Sequence, residues 1–454
     1  MSIRRPLAAL PVVAALSIAA SCHSKPPAVV VAPPPLSDSA AAALRWIDAH
    51  AIPIAILDSA RPPGDRTPFL TFVGNSRVLG VSELVEGTRE FPQIVQAMLA
   101  SLADRGFRGI AVQAPMAEAM ELDRYVRTGV GNPSQGLRVL GPHWHTQDVL
   151  GIVEWIRAYN RSRASTEQIH FSGFELPSAG HALRVLTTLS DSVAGRPLNL
   201  WLRQQLQCVS TGESAAWGRE GPAADSTFWN RCRGATAAVV DSLVALRARV
   251  ASTLPNALAN LTFAEQMARL AQHDADVGLR RLPRQQAVAE HILWLANGLG
   301  PDGNLLVWGR DVESGRLTGE GGLVQSAVPL ASTLGDRYRN LALTAGQGVV
   351  RAQPINVGQR QPGGETNMRL RPPRRESYED MLNRATGERL FVDMRGLGSD
   401  TAGTWVKGPH QARLISGVYS DNALGVFETS LQFPSYYDGV LFAKHVTAAI
   451  PLKH

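Results

Sequence analysis

This chain offers little in the way of a ready-made metal or nucleophile site. It has three cysteines in 454 residues and no Cys-x-x-Cys, His-x-x-Glu-His or Gly-x-Ser-x-Gly arrangement. No local signal for zinc or for a serine-hydrolase elbow is therefore present. It has no long basic block either: 45 Lys and Arg stand among 39 acids, and the net charge of +6 is scattered. That excludes the dense run of cations that follows nucleic-acid phosphates, so no nucleic-acid partner is expected. No internal repeat is visible, and no apolar run makes a comfortable membrane span. What is present, 44% hydrophobic and 19% charged residues, suffices to bury a large core in one domain or two.

The N-terminus reads as an export signal, with a short basic start, "MSIRRP", and an apolar "LAALPVVAALSIAA". It closes on "IAASC", followed by the Pro-rich "HSKPPAVVVAPPP". The arrangement resembles a bacterial lipoprotein signal over residues 1–21, in which Cys22 is lipidated and residues 22–38 form a tether. A plain secretory signal is the alternative. Both readings place the protein outside the cytosol, periplasmic or anchored to the outer membrane through its lipid. There Cys208 and Cys232 can close a disulfide around "STGESAAWGREGPAADS", with two free buried cysteines as the other option.

From residue 39 onward, helical patterns alternate with short apolar runs: "RVLGV", "GIAVQA", "IHFSGFEL" and "NLLVWGRDVE" are each preceded or followed by an amphipathic stretch. The alternation predicts an α/β fold: a layered, mostly parallel sheet with flanking helices. Between about residues 182 and 290 long helical stretches dominate, which predicts a helical insertion or cap. The Pro/Gly-rich stretch "RAQPINVGQRQPGGETNMRLRPPRRES" reads as a mobile flap beside a site.

Ligands of open α/β sheets bind at the carboxyl ends of parallel strands. The loop "GVSELVEGTREF" places Glu83, Glu86 and Glu90 around Gly87, which allows a tight turn, and Thr88, which can cap the next helix. Carboxylates crowded there repel one another and raise a pKa into the range of proton transfer unless Arg89 or Arg310 neutralises them. Gln113, Glu175, Arg310, Asp311 and Glu313 stand at the ends of the other strand candidates. Arg89, His145, Glu175 and Asp311 are candidate substrate contacts. His143 and His145 flank Trp144 just before a helix, a pattern that fits a site wall or a packed strand end equally well. Glu83, Glu86, Asp311 and Glu313 could gather a hard cation, but nothing local fixes a coordination number, and no metal or cofactor is expected.

The stretch "RVLGVSELVEGTREF" resembles the signature of the erythromycin esterase family, Gly-Glu-x-Thr-His-Gly-x-x-Glu-Phe after a strand. "LADRGFRGIAVQA", "HTQDVLGIVEWIRAYN", "LLVWGRDVE", "FVDMR" and "YYDGVLFAKHVTAAIPL" follow in the family's order. The resemblance implies a metal-independent hydrolase of macrolide lactones using a histidine base with supporting glutamates and histidines. It puts the first family glutamate at Glu83, the base histidine at Glu86 and a second glutamate at Gln113. Its Trp-Ala-His-Asn-x-His segment falls on Trp308 to Glu313. The scaffold is thus kept while imidazoles are replaced. Two readings follow: a hydrolase of a small-molecule ester or lactone that works through Glu83, Glu86, Gln113, Arg310 and Glu313, or an inactive envelope-anchored homologue that binds a ligand in the same cleft.

Overall fold

A computed structural model describes residues 35–54, 66–176, 186, 196–207, 226–252, 257–310, 315–316, 326–355 and 364–453. Residues Ser37–His454 form one compact unit. Its first helix, Asp38–His50, starts where Ser37 Oγ accepts the Ala40 N–H, an N-cap that satisfies one of the helix's orphan donors.

The strands in chain order are β1 (Ile52–Pro53), β2 (Val78–Glu83), β3 (Phe107–Pro115), β4 (His170–Glu175), β5 (Asn304–Arg310), β6 (Tyr338–Pro354), β7 (Thr366–Leu370), β8 (Arg389–Asp393), β9 (His410–Arg413), β10 (Val418–Tyr419), β11 (Glu428–Leu431) and β12 (Gly439–Val446). The main sheet runs β1-β8-β12-β6-β2-β5-β3-β4, with β7 and β10 paired to β6. All neighbours from β12 to β4 are parallel, while β8 pairs antiparallel with both β1 and β12. The fold is the layered, mostly parallel α/β sheet that the alternation predicts. Every residue of β2 is buried, as expected for a central parallel strand covered by helices on both faces.

The long helices Ser226–Val250 and Leu258–Gly278 pack around their own apolar cluster, which includes Trp229, Val239, Leu243, Met267 and Leu270. The helix Arg284–Gly298 instead lays Val288 and Ile292 against Phe174 and Val307 of the sheet. Cys232 is buried and disulfide-bonded. Cys208 and Cys22 lie outside the described residues.

The flap expectation needs correcting. Residues 351–354 continue β6, and Thr366–Leu370 pairs back on it antiparallel, Ala352 opposite Thr366 and Gly348 opposite Leu370. Val350, Ala352 and Leu370 are buried in the main core, and that burial turns a polar-looking stretch into a ribbon. The stretch ends at Ser377, the N-cap of the helix Tyr378–Arg384, where the buried Tyr378 hydroxyl donates to Val406 O at 2.9 Å. Only residues 356–363 of it lie outside the described part.

Candidate active site

Because β2, β5, β3 and β4 run parallel and side by side, their last residues come together at one edge. Glu83 is the register partner of Arg310, and Pro115 that of Glu175. The chain leaves β2 through Leu84 and Val85 into a turn at Gly87, whose φ is +80°. A Cβ there would sit 2.0 Å from Arg351 O, so both the left-handed backbone and the close approach require glycine. Thr88 Oγ1 accepts the Phe91 N–H at 3.4 Å, ahead of the helix Glu90–Leu102.

Glu83 and Glu86 are both almost wholly buried, 2% and 1% exposed. Trp308 Nε1 donates to Glu83 Oε1 at 3.0 Å. Burial pushes the Glu83 carboxyl up to about 8, against the pull of that indole N–H and of Arg310, so it is protonated at neutral pH. Arg310 places Nη1 3.8 Å from Glu86 Oε2 and is 38% exposed along its side chain. Its buried Nε has no hydrogen-bond partner among the described residues.

Between the two glutamates stands His143. Its Nε2 is 3.6 Å from Glu83 Oε2 and its Nδ1 3.4 Å from Glu86 Oε2. Burial, reinforced by the Arg310 charge, lowers its pKa to about 3, which keeps the imidazole neutral. Trp144 meets the His143 ring edge-on with centroids 4.5 Å apart, and the Trp308 ring meets Trp144 edge-on at 4.9 Å. Glu83, Glu86, His143, Trp308 and Arg310 line a cavity of about 130 Å³ together with Pro142, Gly417 and the ion pair Arg351–Glu365 (3.2 Å).

Around this centre a chain of polar contacts fixes Arg310. Gln113 Oε1 accepts the Arg310 N–H at 2.6 Å, and Gln113 Nε2 donates to Glu175 Oε1 at 3.2 Å. Glu175 in turn is ion-paired with Arg284. Glu175 therefore stands behind Gln113 rather than on the cavity wall.

Two more of the candidate substrate contacts are placed elsewhere. Arg89 is paired with Asp148 at 3.1 Å, outside the cavity lining. His145 is buried, with Nε2 3.4 Å from Ser134 Oγ and its carbonyl accepting the Leu452 N–H. Asp311 and Glu313 lie outside the described residues. The imidazole that reaches the carboxylates is His143, one turn of loop earlier. The signal for it was Thr146, whose Oγ1 accepts the Val149 N–H and caps the helix Gln147–Asn160. That cap makes residues 141–145 a loop, so the alternation around Trp144 carries no strand meaning.

The segment 447–452 ties the two site loops together. Arg89 N donates to Thr447 O, Ala449 N to Gly87 O, Gln147 N to Ile450 O and Leu452 N to His145 O, all at 2.8–3.0 Å. Glu86 and His143 are thus held at a common distance by a shared backbone strap.

A protein-family model described as erythromycin esterase matches residues 102–446. In shape the chain is similar to the crystal structure of a protein from Bacillus cereus, with a TM-score of 0.75 at 17% identity over 92% of this chain and 100% of that one. It is also similar to a succinoglycan biosynthesis protein, with a TM-score of 0.73 at 17% identity over 90% and 97% of the two chains. A mutant of the erythromycin esterase EreC in its open conformation aligns with a TM-score of 0.58 at 15% identity over 88% and 98%. At these identities the likeness is one of fold. Glu83 and Glu86 precede the matched residues, and the strap follows them.

Proposed function

Because the chain belongs to the erythromycin esterase family, we propose that it is an esterase-like hydrolase that opens a small-molecule ester or lactone by attack of water, without a metal ion. The observation that supports this is the convergence of Glu83, Glu86 and Arg310 on one cavity. An acid and a base with separated environments are what ester hydrolysis needs. Glu83, protonated through neutral pH by burial, is the donor to the leaving oxygen. Glu86, with Arg310 as counter-charge, takes the proton from water. The half-exposed Arg310 guanidinium stabilises the developing oxyanion. Gln113 positions Arg310 through its backbone N–H.

The test is turnover of a panel of esters and lactones by the purified protein, with exhaustive dialysis against a chelator as control. Glu86→Gln should lower kcat about a hundredfold or more, and unchanged activity in that variant would end its assignment as base. A second reading, a ligand-binding protein without turnover, draws on Glu86 and Arg310 standing where the resemblance sets histidines. It predicts ligand-induced stabilisation with no product.

Lipid anchoring at Cys22 belongs to the same proposal: Cys22→Ser should move the protein from the detergent phase to the aqueous phase on partitioning.

A further inference from the structure

We propose that His143 is a proton relay that returns the proton from Glu86 to Glu83 after each turnover. The inference rests on the hydrolase reading and supplies the step that completes its cycle.

In that reading the water oxygen forms a bond to the acyl carbon as one of its protons passes to Glu86. The carbon–oxygen bond to the leaving group then breaks, and the alkoxide takes the proton of Glu83. One water has been split across the ester, and the carboxyl groups have exchanged states: Glu86 now carries a proton and Glu83 a negative charge. A second turnover requires that proton to go back. Both carboxyl groups are 2% exposed or less and meet water only through the cavity that they line, so a side chain that spans them offers the shorter path.

His143 is built into the gap between them, with Nδ1 3.4 Å from Glu86 Oε2 and Nε2 3.6 Å from Glu83 Oε2. Each distance is slightly longer than a hydrogen bond, the usual state of catalytic contacts before a ligand closes the site. Nδ1 accepts the Glu86 proton while the proton on Nε2 leaves for Glu83. The neutral imidazole thereby changes tautomer, and no net charge is left on it. Its side chain is 16% exposed, against 2% and 1% for its two partners, so water at the cavity restores the starting tautomer. Two further facts agree with a relay. Burial and Arg310 keep the ring neutral, so no imidazolium is trapped between two carboxylates, and Arg310, 3.8 Å from Glu86 Oε2, favours the ionised form of Glu86. The edge of Trp144 against the ring holds its plane.

The experiment compares single-turnover and steady-state hydrolysis of a chromogenic ester by wild type, His143→Gln and, as a second substitution, His143→Asn. The expected result is a first turnover within about threefold of wild type, a steady-state kcat at least about tenfold lower with KM falling in proportion, and recovery of kcat on adding free imidazole. Equal loss in both phases, no loss in either, or no recovery with imidazole in a folded variant would overturn the relay alone. Should both variants fail to fold, the wild type decides: a solvent deuterium effect on kcat clearly larger than that on the first turnover supports the relay, and equal effects on both overturn it. A wild type that turns over no ester in the panel would overturn the hydrolase reading and the relay with it.

Discussion

Glu90 and Thr447 hold each other through two hydrogen bonds, the Thr447 N–H donating to Oε2 at 2.9 Å and the Thr447 hydroxyl to Oε1 at 2.7 Å. Glu90 is buried at the head of the helix that follows the Glu86 loop. This pair therefore anchors the strap that binds that loop to the loop of His143. Glu90→Ala should lower stability by about 1–2 kcal/mol, since one of the two partners is exposed, and Glu90→Gln by less. Urea unfolding measures both. Hydrolysis should fall by more than the stability change in Glu90→Ala, because the two site loops are no longer fixed to each other.

Gly87 makes a sharper prediction. Its left-handed backbone and the 2.0 Å approach of Arg351 O mean that Gly87→Ala has to displace either the Glu86 loop or β6. A cost of at least about 2 kcal/mol is expected, seen as a lower thermal midpoint. Unchanged stability would show that the turn is adopted differently.

The pH dependence of stability follows from two opposed shifts. Glu83 binds its proton more tightly when folded, its pKa rising from 4.5 to about 8. Its contribution is fully present below pH 4.5 and is lost as pH rises through 8. His143 binds its proton less tightly when folded, its pKa falling from 6.5 to about 3. Its contribution is fully present above pH 6.5 and is lost as pH falls through 3. Between 4.5 and 6.5 the two slopes offset, leaving a plateau. Urea midpoints across pH 3–9 should show it, with Glu83→Gln flattening the alkaline limb and His143→Gln the acid one.

Gln113 uses both halves of its amide, accepting from Arg310 N and donating to Glu175. Gln113→Glu, which restores the residue that the family resemblance sets there, would place a carboxylate against Glu175 and remove the donor. A loss of about 1–3 kcal/mol is expected. Adding Glu175→Gln returns a donor to the pair, so the double variant should be more stable than Gln113→Glu alone. Additive losses in a double-mutant cycle would disprove the coupling.

Much of this fold was legible in the chain itself. Apolar runs ending at Glu83, Gln113, Glu175 and Arg310 predict parallel strands whose ends share an edge, and the structure puts all four residues there. Gly87 and Thr88 were readable for a local reason, since a turn and a cap are decided by neighbouring backbone. What the sequence by itself could not determine is who faces whom across long separations. Arg89 and Glu83 lie six residues apart, yet Arg89 turns outward to Asp148 and Glu83 inward to Trp308. Glu175 finds Arg284 across the helical stretch between them. The replacement of a histidine by Glu86 looked like the removal of an imidazole from the site. Only the packing of a loop nearly sixty residues later returns one, because the strap at 447–452 holds the two loops together. Burial then sets the protonation of Glu83 and His143. The low dielectric around a side chain is a property of everything packed against it, and no local stretch of sequence encodes that.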